Sequence, residues 1–204
     1  MAKFFKSTTF KCVSVLLAII LVSGLSIAIL SDLLFVSPEE RTGRALEKIY
    51  GKPVSASEYT VILDVDSDDA KLNKAIETEF GQIEKIFLIG DENQKHDLVF
   101  RTTGKEGYKG GTVTMWIKVV VDGTNLNIDK VIIDGNTKQT LMSKLGDSYL
   151  KGFNGFIDIS NEYNTYFYSK GDQGKSNPVS GATMSAQAGC NAVNCVIKFL
   201  KGGN

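Results

Sequence analysis

The sequence contains few of the residues that build metal sites and disulfide frameworks. It has one histidine, His96, and three cysteines among 204 residues. The positions of Cys12, Cys190 and Cys195 do not match the spacings of zinc or iron–sulfur ligands. On a helix, Cys190 and Cys195 would point about 140° apart, so we expect two small core residues rather than a disulfide or a shared metal.

An excess of charge of either sign is also missing. The 23 basic and 23 acidic side chains give a formal net charge of +0. Without a net positive charge the protein has no long-range field that attracts nucleic acid. The composition therefore predicts no nucleic-acid partner, and a chain of this length fits a single compact domain.

Charge is completely missing from one long stretch near the N-terminus. It runs from Cys12 to Ser31 and comprises 20 residues. A helix of about 20 residues crosses the hydrocarbon core of a bilayer. The alternative is a cleaved signal peptide, whose apolar region is usually about 7–15 residues long and is followed by an A-x-A-like site. Because this stretch is longer and no such site follows it, we favour a retained membrane anchor.

The charges on either side of this stretch predict its orientation. Three lysines precede it, and three acidic residues follow it before the first arginine. The positive-inside rule therefore places the N-terminus in the cytoplasm. We expect a cytoplasmic segment over 1–11, a transmembrane helix over 12–36 and one extracytoplasmic domain over 37–204. The protein is then a single-pass protein of the cell membrane.

Beyond the anchor, the residue patterns predict an α+β domain with an antiparallel sheet and flanking helices. Ser37, Pro38 and Glu40 form a capping box that begins a helix, which ends near Gly51. A second helix signal begins at Ser67 and predicts a βα unit. Alternating apolar residues predict four strands, at 59–65, 98–104, 112–121 and 126–133, and a turn containing Asp122-Gly123 joins the last two as a hairpin.

The C-terminal third of the chain is less regular. Apolar residues at helical spacing over 186–203 predict a final helix. Residues 134–180 show only a weak helix around 141–152 and a short strand, FIDIS. A long irregular region in a compact domain is often a binding surface.

Three hydroxyl side chains and a glycine occur within residues 180–185, Ser-Gly-Ala-Thr-Met-Ser, just before the final helix. One hydroxyl is enough to cap a helix. The free amides at a helix start also bind anions, and Gly181 lets the backbone approach a phosphate closely. From the residues alone, a helix cap and a phosphate site both stay open.

A family resemblance favours the phosphate interpretation. The segment N-P-V-S-G-A-T, residues 177–183, resembles the flavinylation motif D-x-x-[ST]-G-A-T of the FMN-binding domain family. A G-Y-K-G-G turn at 107–111, the hairpin after it and an aromatic-x-x-x-F-x-G element at 149–155 resemble further features of that family. With the N-terminal anchor, residues 10–200 resemble the G subunits of Rnf-type ion-translocating electron-transport complexes, which are related to the C subunit of sodium-pumping NADH:quinone reductase.

The resemblance implies a function as well as a fold. It implies that a separate flavin transferase attaches FMN to Thr183 through a phosphoester. The chain would then relay electrons inside an Rnf-type ferredoxin:NAD oxidoreductase coupled to ion translocation, with other membrane and iron–sulfur subunits as partners and no catalytic site of its own. Two alternatives are a stand-alone extracellular FMN-binding electron-transfer protein and a non-redox scaffold subunit that has lost the flavin.

The resemblance also indicates which residues contact the cofactor. The candidate cofactor-binding residues are Thr183, Ser180, Gly181, Ala182, Ser185, Thr140, Tyr108 and Asn177. Tyr149 and Phe153 are further candidates to border the flavin, although for these two and for Tyr108 we favour an ordinary core role. For Ser185 the alternative is an ordinary place in the first helical turn.

Two features depart from the family pattern. Asn177 replaces the aspartate that heads the motif, so it keeps an acceptor oxygen and loses the charge. The family's E-T-P-G-L-G loop, which contacts the flavin ring, is reduced to Gln139-Thr140-Leu141, and only Thr140 carries over.

Overall fold

The structure is a computed structural model. It describes residues 8–34, 36–135, 137, 139–160, 165–170 and 174–202. The chain divides into two compact units, Met1–Arg41 and Thr42–Asn204.

The first unit contains the long helix α1, Thr8–Leu34. By length and composition, its segment Lys11–Ser31 is apolar enough to cross a membrane. The side chains of that segment are exposed throughout. An exposed apolar surface of this size is unfavourable in water, so α1 agrees with the predicted membrane-spanning helix.

The predicted helix and the capping role of Ser37 are confirmed. The helix α2 spans Pro38–Tyr50, and the Glu40 amide donates a hydrogen bond of 3.1 Å to the hydroxyl oxygen of Ser37. The helix ends before Gly51, where it was predicted to end. Its apolar face packs on one face of the sheet, in a cluster that contains Ala45, Leu46, Ile49, Phe87, Val99 and Trp116.

The second unit is built around an antiparallel sheet, which confirms the predicted fold class. Among the described residues its strands are β1 Tyr59–Asp64, β2 Ile76–Thr78, β3 Gly81–Ile89, β4 His96–Gly104, β5 Val113–Asp122, β6 Asn125–Ile133 and β7 Gly155–Ile157. Their order is β1-β3-β4-β5-β6-β7, and β2 pairs with β3. The four predicted strands and the β5–β6 hairpin are all present.

The helix predicted from Ser67 is wrong. Residues 65–75 form turns, and the chain then continues into the β2–β3 hairpin. Short side chains compete with helical hydrogen bonds here, because Ser67 Oγ accepts from the Asp69 amide at 3.1 Å and Asp69 Oδ1 accepts from the Lys71 amide at 2.9 Å. Such local bonds favour turns over helix.

The final helix is confirmed, and it begins and ends three residues earlier than predicted. This helix, α4, spans Thr183–Leu200 and packs on the opposite face of the sheet from α2. Cys190 and Cys195 are free and fully buried in this core, as expected for small core residues. The small residues on α4 allow a close approach to β4 at Gly104, where a Cβ atom would lie 2.0 Å from the Ala188 carbonyl oxygen.

The region between the sheet and α4 contains short elements, as predicted. A 3-10 turn spans Met142–Lys144, and the helix α3 spans Asp147–Lys151. The expected FIDIS strand, residues 156–160, corresponds to β7, which begins one residue earlier and ends at Ile157. Two short parallel strands follow, β8 Phe167–Tyr168 and β9 Lys175–Ser176.

The buried thiols predict that the domain is sensitive to alkali. Burial raises the pKa of Cys190 to about 12 and the pKa of Cys195 to about 11. The folded state therefore keeps protons that the unfolded chain releases above about pH 8.5, so stability is present below that pH and is lost as pH rises. We expect the free energy of unfolding to fall by about 3 kcal/mol per thiol between pH 8 and pH 11.

Urea unfolding followed by the fluorescence of the single tryptophan, Trp116, measures this fall. The matched control is Cys195→Ala, which removes one titrating thiol and is expected to flatten the alkaline part of the profile. If the free energy of unfolding of Cys195→Ala falls with pH as steeply as that of the wild type, groups other than this thiol cause the alkaline sensitivity.

Candidate functional site

The candidate site begins at the start of α4. Thr183 is the first residue of the helix, and Ala182 is its N-cap, which makes no side-chain capping hydrogen bond. The Ala182 amide donates to the Val179 carbonyl at 3.2 Å, and the Ala186 amide donates to the Ala182 carbonyl at 2.9 Å. The interpretation of residues 180–185 as a plain helix cap is therefore wrong. The first-turn amides have no side-chain cap, and such amides attract anions.

The three hydroxyls of this segment differ in their environments. Ser180 is exposed, Thr183 is half-buried and Ser185 is buried. The Ser185 hydroxyl donates a hydrogen bond of 2.7 Å to Oε1 of Gln139. A hydroxyl has one O–H donor, so Ser185 has none left for a phosphate. Thr183 therefore presents a hydroxyl at the helix start that combines partial burial with solvent access.

A lysine lies over the turn that precedes α4. Gly181 has a φ of +73°, which favours glycine, and a Cβ atom placed there would lie 2.6 Å from Nζ of Lys144. The Lys144 ammonium is thus close to the backbone of the turn. A cation there adds to the attraction that the helix start exerts on an anion. Lys144 was not predicted from the sequence, because an exposed lysine in a 3-10 turn carries no distinguishing pattern.

Gln139 connects the start of α4 to the G-Y-K-G-G turn. The Tyr108 amide donates to Gln139 Oε1 at 3.2 Å, and Gln139 Nε2 donates to the Tyr108 carbonyl at 3.3 Å. With the Ser185 contact, Gln139 joins three segments that are far apart in the sequence. Each of these segments was singled out by the family resemblance. Thr140 follows Gln139 and is exposed.

Large apolar side chains next to these contacts are exposed. The exposed fractions are 47% for Tyr108, 38% for Leu141 and 51% for Met184. The core role favoured for Tyr108 is therefore wrong, whereas it is confirmed for Tyr149 and Phe153, which are buried and pack edge to face at 4.9 Å. Met184 directly follows Thr183, and Tyr108 and Leu141 belong to the segments that Gln139 joins to the first turn of α4.

Asn177 lies away from this surface, in the core. Its side chain is buried, and its Nδ2 donates a hydrogen bond of 3.0 Å to the Tyr149 carbonyl. Gly152 leaves room for it, because a Cβ atom at that position would lie 2.6 Å from Asn177 Oδ1. An amide suits this contact, since a carboxylate cannot donate to a carbonyl oxygen. The structure thus gives a physical reason for asparagine at the head of the motif.

Charged side chains that are largely buried form ion pairs on the sheet face that α2 covers. Lys85 Nζ lies 2.8 Å from the Asp64 carboxylate, and Arg101 Nε lies 2.7 Å from the Asp134 carboxylate. Arg101 also pairs with Glu84. Paired buried charges stabilise the fold only weakly and do not by themselves indicate a catalytic group.

A cavity of about 330 Å³ lies elsewhere, between β6 and α3. It is lined by Asp129, Lys130, Val131, Ile132, Asp147, Leu150, Lys151 and Asn154. None of the candidate residues lines it. Within the described part of the chain, no group of three or more His, Cys, Asp or Glu side chains is arranged to bind a metal ion.

Comparison with known proteins adds no assignment. No protein-family model matches the sequence, and no curated protein matches it.

Proposed function

We propose that this chain is a membrane-anchored flavoprotein subunit that relays electrons through FMN attached to Thr183 by a phosphoester. We place it in an Rnf-type ferredoxin:NAD oxidoreductase that is coupled to ion translocation. The observation that carries the proposal is the start of α4, which has a half-buried threonine hydroxyl and no side-chain cap.

The residues at this position fit an esterified phosphate. A phosphodiester carries a negative charge, which the amides and dipole of a helix start favour. Lys144 adds a positive charge close to Gly181. The Thr183 hydroxyl is the acceptor in the reaction of the flavin transferase, whose donor is FAD. Its oxygen forms the new ester bond to the FMN phosphate of FAD, the pyrophosphate bond of FAD breaks, and AMP leaves as the hydroxyl gives up its proton.

The exposed apolar side chains of the segments that Gln139 joins fit the flavin ring. A planar ring can cover the apolar and aromatic surface of three exposed side chains, Tyr108, Leu141 and Met184. Bound FMN supplies the capacity to accept and donate electrons, and the protein determines its position and environment. The role of these side chains is to orient the ring and to reduce its contact with water.

The proposed location explains a covalent bond. The α1 helix anchors the chain, and the charges around it favour an extracytoplasmic domain. A flavin outside the cytoplasm cannot be replaced from the cytoplasmic pool, and an ester bond prevents its dissociation. The other membrane and iron–sulfur subunits of the complex are the proposed electron-transfer partners.

Covalent flavin on Thr183 is tested by in-gel fluorescence of the denatured full-length protein, produced together with a flavin transferase. We expect fluorescence in the wild type, none in Thr183→Ala and reduced fluorescence in Thr183→Ser, which keeps a hydroxyl. Ser180→Ala is the matched control, and it should fluoresce like the wild type because its hydroxyl is not the acceptor. Wild-type protein without fluorescence would contradict the proposal and favour the scaffold alternative.

A further inference from the structure

Gln139 contacts two parts of the candidate site with one carboxamide. Its Oε1 accepts hydrogen bonds from the Tyr108 amide at 3.2 Å and from the Ser185 hydroxyl at 2.7 Å. Its Nε2 donates to the Tyr108 carbonyl at 3.3 Å. The side chain therefore connects the 105–111 loop, which contains Tyr108, to the first turn of α4.

The 105–111 loop needs such a restraint. Two of its non-glycine residues have left-handed backbones, with φ of +70° at Glu106 and +54° at Lys109. Residues in this conformation persist only where their surroundings fix them. Asn191 of α4 restrains the start of the loop by donating to the Glu106 carboxylate at 3.3 Å. Gln139 restrains its centre.

We propose that Gln139 is the positioning residue of the flavin site, an inference that rests on the proposed function. Its carboxamide fixes the Tyr108 backbone relative to the first turn of α4, which begins at Thr183, so that the loop carrying the exposed Tyr108 ring keeps a constant position relative to that turn. It also uses the one O–H donor of Ser185.

Two substitutions separate the effect of losing the hydrogen bonds of Gln139 from the effect of placing a charge at the same position. Gln139→Leu removes all three hydrogen bonds. Gln139→Glu keeps both acceptor contacts, loses the donor to the Tyr108 carbonyl and places a negative charge beside the flavin. A negative charge there disfavours electron uptake by the ring.

The first arm of the experiment needs no flavin. Amide hydrogen exchange is measured on the full-length chain produced without the transferase. We expect the Tyr108 amide to exchange at least about 10-fold faster in Gln139→Leu than in the wild type, because its hydrogen bond is lost. The matched control is Gln94→Leu, in an exposed turn, which should leave Tyr108 exchange unchanged.

The second arm uses protein that carries flavin. We expect the fluorescence anisotropy of the flavin to acquire a fast component in Gln139→Leu, because the ring loses its fixed aromatic surface. In Gln139→Glu we expect flavin to remain on Thr183 with a lower reduction potential. Peptide mass spectrometry should locate the flavin on Thr183 in each variant that carries it.

The outcomes distinguish the inference from the proposed function. Unchanged Tyr108 exchange in Gln139→Leu overturns the inference, and so do wild-type anisotropy and potential in the two Gln139 variants that carry flavin. In either case, flavin on wild-type Thr183 leaves the proposed function standing. Wild-type protein that acquires no flavin overturns the proposed function and, with it, the role of Gln139 toward the ring.

Discussion

A complex in which this chain carries Thr183→Ala is expected to assemble completely and to lose coupled ion transport. The substitution removes a hydroxyl and a methyl group from a half-buried residue at a helix start. It leaves the core between α4 and the sheet intact, so folding and subunit contacts should persist. On the proposed function, Thr183→Ala removes the ester bond that retains FMN, and the proposed electron path through this flavin is interrupted.

The measurement uses sealed membrane vesicles that contain the complex, supplied with reduced ferredoxin and NAD. Ion uptake in Thr183→Ala should fall to the level of vesicles without the complex, while the amounts of the other subunits stay normal. Thr183→Ser, which restores an acceptor hydroxyl, should recover part of the transport in proportion to its flavin content. Normal transport by a flavin-free, fully assembled complex would remove this chain from the electron path and support a scaffold role.

The sequence predicted most of the sheet because its strands follow simple patterns. Strands β4, β5 and β6 alternate apolar residues, and a recognisable turn at Asp122-Gly123 joins β5 to β6. The helix predicted from Ser67 was wrong for a local reason. Its aspartates suit a helix start, yet Asp69 accepts a hydrogen bond from the Lys71 amide and forms a turn instead. Composition alone cannot separate these two uses of an aspartate.

The sequence predicted the segments that form the candidate site but not the contacts between them. The motif around Thr183 and the loop around Tyr108 were both recognised from the sequence. The roles of two other residues were not recognised: Gln139 connects the motif to the loop, and Lys144 adds a positive charge near Gly181. Both roles depend on segments that only the fold brings together. A core role was favoured for Tyr108 because aromatic residues are more often buried than exposed.

The packing of α4 on the sheet predicts a large loss of stability from one added side chain at Gly104. A Cβ atom at this position would lie 2.0 Å from the Ala188 carbonyl oxygen and 2.3 Å from the Ala192 amide nitrogen. Both neighbours are helix backbone, so no side-chain rotation relieves the clash. We expect Gly104→Ala to lower the free energy of unfolding by about 3 kcal/mol or more. For Gly104→Val the clash is larger. Its loss of stability should exceed the whole free energy of unfolding of a typical domain, roughly 5–15 kcal/mol, only if α4 separates from the sheet.

Gly43→Ala is the matched control, because nothing lies within 4 Å of a Cβ atom at Gly43 in α2. It should raise stability by up to about 1 kcal/mol through helix propensity. Urea unfolding followed by Trp116 fluorescence compares the variants at pH 7. Because α4 carries both Thr183 and Asn191, its displacement should also impair flavin attachment in Gly104→Ala, by moving the acceptor hydroxyl relative to the 105–111 loop. Wild-type stability of Gly104→Ala would show that α4 and β4 pack less closely than described, and the geometry assigned to the site would then need revision.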